Sequence, residues 1–353
     1  MPNSANQHPA GAAGMAQPQA HSPSKKSGLK QAIKILVSLT LLAYILGQIG
    51  LQNTLARLSE ANLWYVPVGI LFYLLSQAIS AYRWQFLSKP LGFDLSLGWF
   101  YAYYLLGMFF NLFLPGAIGG DMLRMLYLSK HANRRKREAL LTLLAERGVG
   151  LVALLLLTSI VCLLPSLKQF DLALPLRLPF VDHNPAFATL DIRWILLGLS
   201  LLMMLGYWAL WLMPLDRLAA RFPQLALLLQ AKVYWANWGL LFKSVSLSLG
   251  VHAMMVALHL MIASALHVQV DALYMTVVYG VVSLASVLPI AFNGFGVREG
   301  AYLWLLTRWG LSPETAMAFA FYWVLISTGT SLLGGIVWLI LREKSPQSSE
   351  KLV

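Results

Sequence analysis

Several stretches of this chain carry no charged residue over lengths that cross a lipid bilayer, among them residues 61–82, 95–120 and 272–297. A hydrocarbon core about 30 Å thick takes roughly 20 helical residues to cross. Inside it every backbone N–H and C=O must be satisfied within the protein, so only helices or closed barrels span it. The runs are continuously apolar rather than alternating, which predicts helices. Two of them are interrupted. Asn111–Arg124 reads NLFLPGAIGGDMLR and Leu288–Gly300 reads LPIAFNGFGVREG. Each sets proline and glycine inside an apolar run and places charged residues directly after the break. The expected fold is all-α: a polytopic integral membrane protein organised around two broken helices.

Composition agrees. The chain is 58% hydrophobic and 11% charged, where a soluble domain carries nearer a quarter charged residues. The formal net charge of +12 would suggest nucleic acid in a soluble protein. Here the basic residues cluster between apolar runs, as cytoplasmic loops facing anionic lipid do, so nucleic acid is not an expected partner. The single cysteine, Cys162, lies in an apolar run and supports neither a disulfide nor a thiolate cluster.

Residues 1–28 are expected to form a disordered cytoplasmic tail, 29–342 one transmembrane domain, and 343–353 a second cytoplasmic tail. Lys25, Lys26, Lys30 and Lys34 precede the first span at 33–50, which sets the N-terminus inside. A second span at 61–82 then leads to a loop at 83–98 marked by Arg83, Lys89 and Asp94. If the next run crossed once, the block Arg134, Arg135, Lys136, Arg137 would fall outside, against the charge rule. A re-entrant hairpin at 99–129 keeps it inside. Spans follow at 139–165 and 194–213, joined by an external loop. A cytoplasmic link at 214–243, readable as an interfacial amphipathic helix, leads to a span at 244–267. A second hairpin at 271–309, entered from outside, and a final span at 315–341 complete the chain. About six full spans plus two hairpins result, or eight spans if the hairpins cross. The candidate repeats, 61–165 and 244–341, have the same pattern in opposite orientation. Paired discontinuous helices in inverted repeats point to a transport site.

The first break supplies Asn111, Pro115, Gly116, Gly119, Gly120, Asp121 and Arg124 as candidate substrate-binding residues. The glycines permit a tight turn and bare amides at a helix start, where a phosphate is favoured. Arg124 matches phosphate oxygens bidentately, while Asp121 is either a helix cap or the partner of Arg124. The second break supplies Asn293, Gly294, Gly296, Arg298 and Glu299 in the same roles. Asn111 and Asn293 could satisfy backbone groups exposed at the breaks. Glu146 and Arg147 either open a span at the interface or line the cavity. His252 and His259 share a helical face, and with Glu146 they could relay protons; the plainer reading is hydrogen bonding between helices. No metal spacing, nucleotide loop or cofactor motif is present, and no residue is assigned a catalytic role.

These two stretches resemble those of the lysylphosphatidylglycerol synthase/flippase transmembrane-domain family. The matching residues are Asn111, Pro115, Gly116, Gly119, Asp121 and Arg124 in the first, and Pro289, Gly294, Gly296, Arg298 and Glu299 in the second, with likeness over roughly residues 30–342. Ala117 stands where the family commonly has arginine. The resemblance implies the flippase-like part without the soluble aminoacyltransferase domain, for which the sequence leaves no room. It implies translocation or binding of an anionic phosphate-containing lipid or lipid-linked intermediate across the bacterial inner membrane. The substrate would be a phospholipid or a polyprenyl-linked or glycolipid species. The alternatives are a membrane-embedded transferase and a non-catalytic partner of a lipid-synthesis enzyme.

Overall fold

The computed structural model describes residues 25–114, 119–132, 136–175, 189–214, 217, 221–222, 226–288 and 291–343. Twelve helices account for most of them. Helix α1 (Lys25–Ile49) begins inside the stretch assigned to the tail and turns at Gly50 into α2 (Leu51–Ser59), bent by 81° between Ile33–Ile49 and Leu51–Ser59. Gly50 has φ +90°, a conformation that glycine adopts without steric cost. Next come α3 (Tyr65–Ser88), α4 (Leu97–Asn111), α5 (Gly119–His131) and α6 (Lys136–Cys162). After α7 (Ile192–Leu212) and the short α8 (Ala226–Ala236), the second half runs through α9 (Trp238–Ala265), α10 (Ala272–Val287), α11 (Val297–Trp309) and α12 (Pro313–Glu343). Among the described residues five helices are long and apolar enough to cross a membrane, or six if the bent α1–α2 pair counts as one span.

The helices on either side of each break fold back on one another. In the first hairpin Trp99 packs on His131, Tyr103 stacks near Tyr127, and Asn111 reaches Gly120. In the second, Tyr274 donates to the Leu305 carbonyl at 2.7 Å and Trp309 donates to the Gln269 carbonyl at 2.9 Å. Both ends of each hairpin therefore lie on one side, so neither crosses as a single span.

The two halves have opposite polarity. Along α3 and α9 the contacts run Asn62 to Ala265, Ser76 to Met255, Arg83 to Ser248 and Tyr82 to Lys243. Exchanging α3–α6 with α9–α12 maps the packing onto itself: α4 lies on α12 as α10 lies on α6, and α3 lies on α12 as α9 lies on α6. Glycines allow two of these approaches. A Cβ on Gly334 would stand 2.1 Å from the Leu105 carbonyl oxygen, and one on Gly280 would stand 2.1 Å from the Thr158 hydroxyl. In lipid, where apolar side chains gain little by meeting one another, such small residues let helices pack closely.

Several boundaries move from the sequence reading. The second span does not end at 82; α3 continues to Ser88, so Arg83 is a buried helical residue and not a loop marker. The link read from the sequence as reaching 243 ends at Asn237, whose side chain caps α9 by accepting from Leu240 N at 3.0 Å. Lys243 thus lies within α9, against the Phe86 ring. The segment between α6 and α7 contains a two-stranded antiparallel ladder, Ala173–Pro175 with Thr189–Asp191, as a small addition to the all-α architecture. Single-cysteine labelling in a Cys162→Ser background should place Lys89 and Lys130 on one membrane face and Gln269 and Ser312 on the other. Labelling of Lys89 and Lys130 from opposite faces would contradict the first hairpin.

Candidate functional site

The hairpin tips meet. Asn111 ends α4; its side-chain oxygen accepts from Gly120 N at 2.8 Å, closing the first hairpin. Its backbone carbonyl accepts from Asn293 Nδ2, which lies at the second break. Asn293 itself has φ 49°, Gly294 φ +75° and Gly296 φ +85°. Helix α1 braces this tip: Ser38 Oγ accepts from Phe292 N at 2.8 Å, and Leu41 covers Gly296. Both asparagines thus satisfy backbone groups at the breaks. Pro115, Gly116 and Pro289 lie outside the described residues.

Arg298 and Glu299 form a closed pair. Arg298 Nε and Nη2 donate to Glu299 Oε1 at 3.0 and 2.6 Å, and Gly296 N donates to Oε2 at 2.6 Å. The Gly296 amide, expected to greet a ligand anion at this break, is filled by the chain's own carboxylate. The Gly120 amide is likewise taken by Asn111. A main-chain anion site is the sequence expectation at both breaks; at these two amides the chain supplies its own acceptors.

Below the first tip lies a buried ionic cluster. Arg124, on α5, is 2% exposed; it donates to Asp121 Oδ1 at 3.1 Å, and its Nη2 stands 3.9 Å from Glu146 Oε2. Its guanidinium lies over Trp84 at 4.3 Å and Tyr104 at 3.8 Å from the ring centroids. Gly107 makes the room, because a Cβ there would stand 2.6 Å from Arg124 Cδ. Glu146, on α6, is 1% exposed and accepts from Arg83 Nη2. Arg83 also donates to Ser248 Oγ on α9 at 2.5 Å. Arg147, half exposed, donates from Nε to Asp121 Oδ2 at 2.9 Å. Five helices, α3, α4, α5, α6 and α9, thus converge on one cluster. Asp121 is the partner of two arginines, and Glu146 is no interfacial residue but lies in the interior.

Arg83 is the residue that sequence reasoning missed. It follows a long uncharged run, which makes it look like a boundary. The available signal was the stripe Ser76, Ser80, Arg83 at helical spacing, all three buried. A polar stripe inside an apolar helix marks a face turned toward other polar groups.

The histidines have complete partners. His252 Nε2 donates to the Gly150 carbonyl at 3.0 Å, and Nδ1 accepts from Tyr279 OH at 2.9 Å. His259 Nδ1 donates to the Met255 carbonyl at 2.7 Å, and Nε2 accepts from Tyr302 OH at 2.7 Å. Both ring nitrogens of each histidine are thus engaged, those of His252 by α6 and α10 and those of His259 by its own helix and α11. Among the described residues no group of histidine, cysteine and carboxylates is arranged to hold a metal.

The chain has known relatives. It is 29% identical over 133 residues to a UPF0104 membrane protein of Methanocaldococcus jannaschii, covering 37% of this chain and 40% of that protein. It is 25% identical over 126 residues to a UPF0104 membrane protein of Pyrococcus horikoshii, covering 35% and 38%. The matched stretch is thus about two fifths of either relative's length. Residues 31–335, which run from α1 into α12 and include both hairpins and the arginine cluster, match the lysylphosphatidylglycerol synthase TM region. The protein therefore belongs to the lysylphosphatidylglycerol synthase transmembrane-region family.

Proposed function

We propose that the protein translocates a lipid bearing a phosphate-containing headgroup, and that the headgroup passes between the two hairpins. The observation that carries this reading is the tip-to-tip contact of Asn293 with Asn111 between hairpins entered from opposite faces. Inverted repeats whose discontinuous helices meet near mid-membrane can open alternately to either side around one site. The cluster of Arg83, Arg124 and Arg147 beside that contact suits a phosphate group. Asp121, Glu146 and Glu299 are each engaged by arginine, which favours a counter-ion role over that of an acid or base in a transferase. In this reading the protein resides in the inner membrane with both termini on the cytoplasmic side. A lipid-synthesis enzyme would supply the substrate.

The test joins the tips. In a Cys162→Ser background, Leu112→Cys and Phe292→Cys, which flank the contact and leave both asparagines in place, are linked by a thiol crosslinker, and the protein is reconstituted in liposomes carrying fluorescent phospholipids. The uncrosslinked protein should move lipid between leaflets. Crosslinking should stop movement, and a cleavable linker should restore it on reduction. Full transport with the tips joined, or none in any state, would argue against this mechanism.

A further inference from the structure

We infer that the arginine cluster selects a headgroup with one net negative charge, a lipid phosphodiester without a compensating amine, and excludes headgroups made cationic by aminoacylation. The inference rests on the translocation reading and narrows its substrate class.

Charge balance is the first argument. Arg83, Arg124 and Arg147 face Asp121 and Glu146, which leaves one positive charge uncompensated. The neighbouring charged pair, Arg298 with Glu299, is neutral, and His252 is held as a neutral ring by its two partners. A residual charge deep in a membrane is costly and is stabilised by a counter-charge of equal size. A phosphodiester supplies one. A lysyl ester of phosphatidylglycerol carries one net positive charge and would double the excess; a diphosphate-linked lipid overshoots in the other direction.

Donor geometry is the second. Among the described residues Arg124 Nε and Nη2 and Arg83 Nε have no hydrogen-bond acceptor although they are buried. Buried donors left unmatched are rare in native proteins. Trp84 and Tyr104 fix the plane of the Arg124 guanidinium, so its free N–H groups point along a defined edge. Glu146 Oε2, also without a hydrogen bond, stays 3.9 Å from Nη2 and contributes charge but no direct bond.

Access is the third. Arg147 is half exposed and Asp121 is 18% exposed by side chain, whereas Arg83, Arg124 and Glu146 are closed off. Arg147 lies about 16 Å along α6 from Lys136, near the middle of a bilayer core. Arg147 on α6 and Asp121 on α5 are the members through which the cluster reaches the protein surface. A phosphodiester entering there meets Arg147 first and the free edge of Arg124 behind it.

Two lipid sources share this chemistry: a phosphatidylglycerol-type phospholipid and a polyprenyl monophosphate sugar. The experiment measures binding to the purified full chain by native mass spectrometry, with competition among phosphatidylglycerol, a polyprenyl monophosphate hexose, phosphatidylethanolamine, lysyl-phosphatidylglycerol and a polyprenyl diphosphate. One of the first two should bind at least about tenfold more tightly than lysyl-phosphatidylglycerol, and which one identifies the source. Two variants shift the balance in opposite directions. Arg147→Gln removes a positive charge and should bring phosphatidylethanolamine level with phosphatidylglycerol. Asp121→Asn adds one and should favour the diphosphate lipid. A purely structural role for these residues predicts weaker binding of every lipid alike. Lysyl-phosphatidylglycerol bound as tightly as the phosphodiesters, or unchanged preference in both variants, overturns the charge assignment while leaving translocation standing. No binding of any lipid overturns both.

Discussion

Glu146→Ala is expected to destabilise the protein by about 3–5 kcal/mol, because it leaves buried arginines without their counter-charge. The carboxylate is 1% exposed and stands between Arg83 and Arg124. Its removal strands Arg83, which keeps only Ser248. It also raises the net charge of the cluster by one in an apolar surround. The measurement is thermal unfolding in lipid nanodiscs. The exposed pair Arg57–Glu60 provides the comparison, since Glu60→Ala should change stability by less than about 1 kcal/mol. Glu146→Gln should fall between, retaining an acceptor for Arg83 but not the charge. The double variant Arg83→Leu/Glu146→Leu should lose less than the single changes combined, because it removes both members of the pair. A Glu146→Ala protein that melts with the parent would mean that the cluster is hydrated or unformed in the membrane.

How much of this was legible follows from which forces leave a mark in one dimension. The apolar runs had to be helices, because lipid offers the backbone no hydrogen bonds, and α3, α4, α6 and α10 lie on them. The breaks were legible from glycine and proline, and the charge rule then favoured hairpins over crossings. Their meeting was not. Asn293 and Asn111 are joined by tertiary packing, and neither residue type announces a partner so distant in the chain. The cluster was half visible. Asp121, Arg124, Glu146 and Arg147 all stood out as charges beside apolar runs, but the partnership of Arg83 with Glu146 depends on α3 crossing α6. The hairpin starts were misread in one respect. Sequence shows that a helix begins but not whether a nearby carboxylate or amide has already claimed its N–H groups, as Glu299 and Asn111 do. The bend between α1 and α2 leaves no separate mark in the sequence, because Gly50 sits at the end of a run already long enough for one span.

Gly120→Ala should open the first hairpin and abolish transport. An added Cβ would stand 2.0 Å from the Gly107 carbonyl oxygen and 2.7 Å from Asn111 Oδ1. Both contacts lie inside van der Waals separation, and the first is to backbone, which has no rotamer to yield. The hairpin arms must separate, and that breaks the Gly120–Asn111 bond closing the tip. The displacement propagates two ways. Asn111 carries the carbonyl that receives Asn293, so the meeting of the hairpins is lost with it. Gly107 also faces Arg124, so the aromatic seat of that guanidinium shifts. Stability should fall by about 3 kcal/mol, the upper end for overpacking, because a main-chain contact is forced. Gly148→Ala on α6 is the matched control: a Cβ there meets nothing within 4 Å. It should hold or slightly raise stability, since alanine in an unobstructed helix loses less backbone entropy than glycine. Thermal unfolding and leaflet exchange measured on both variants separate the outcomes. Transport at the parent rate in Gly120→Ala would show that the arms need not touch at this level, and the tip contact would then lose its place as the closed gate between the two membrane faces.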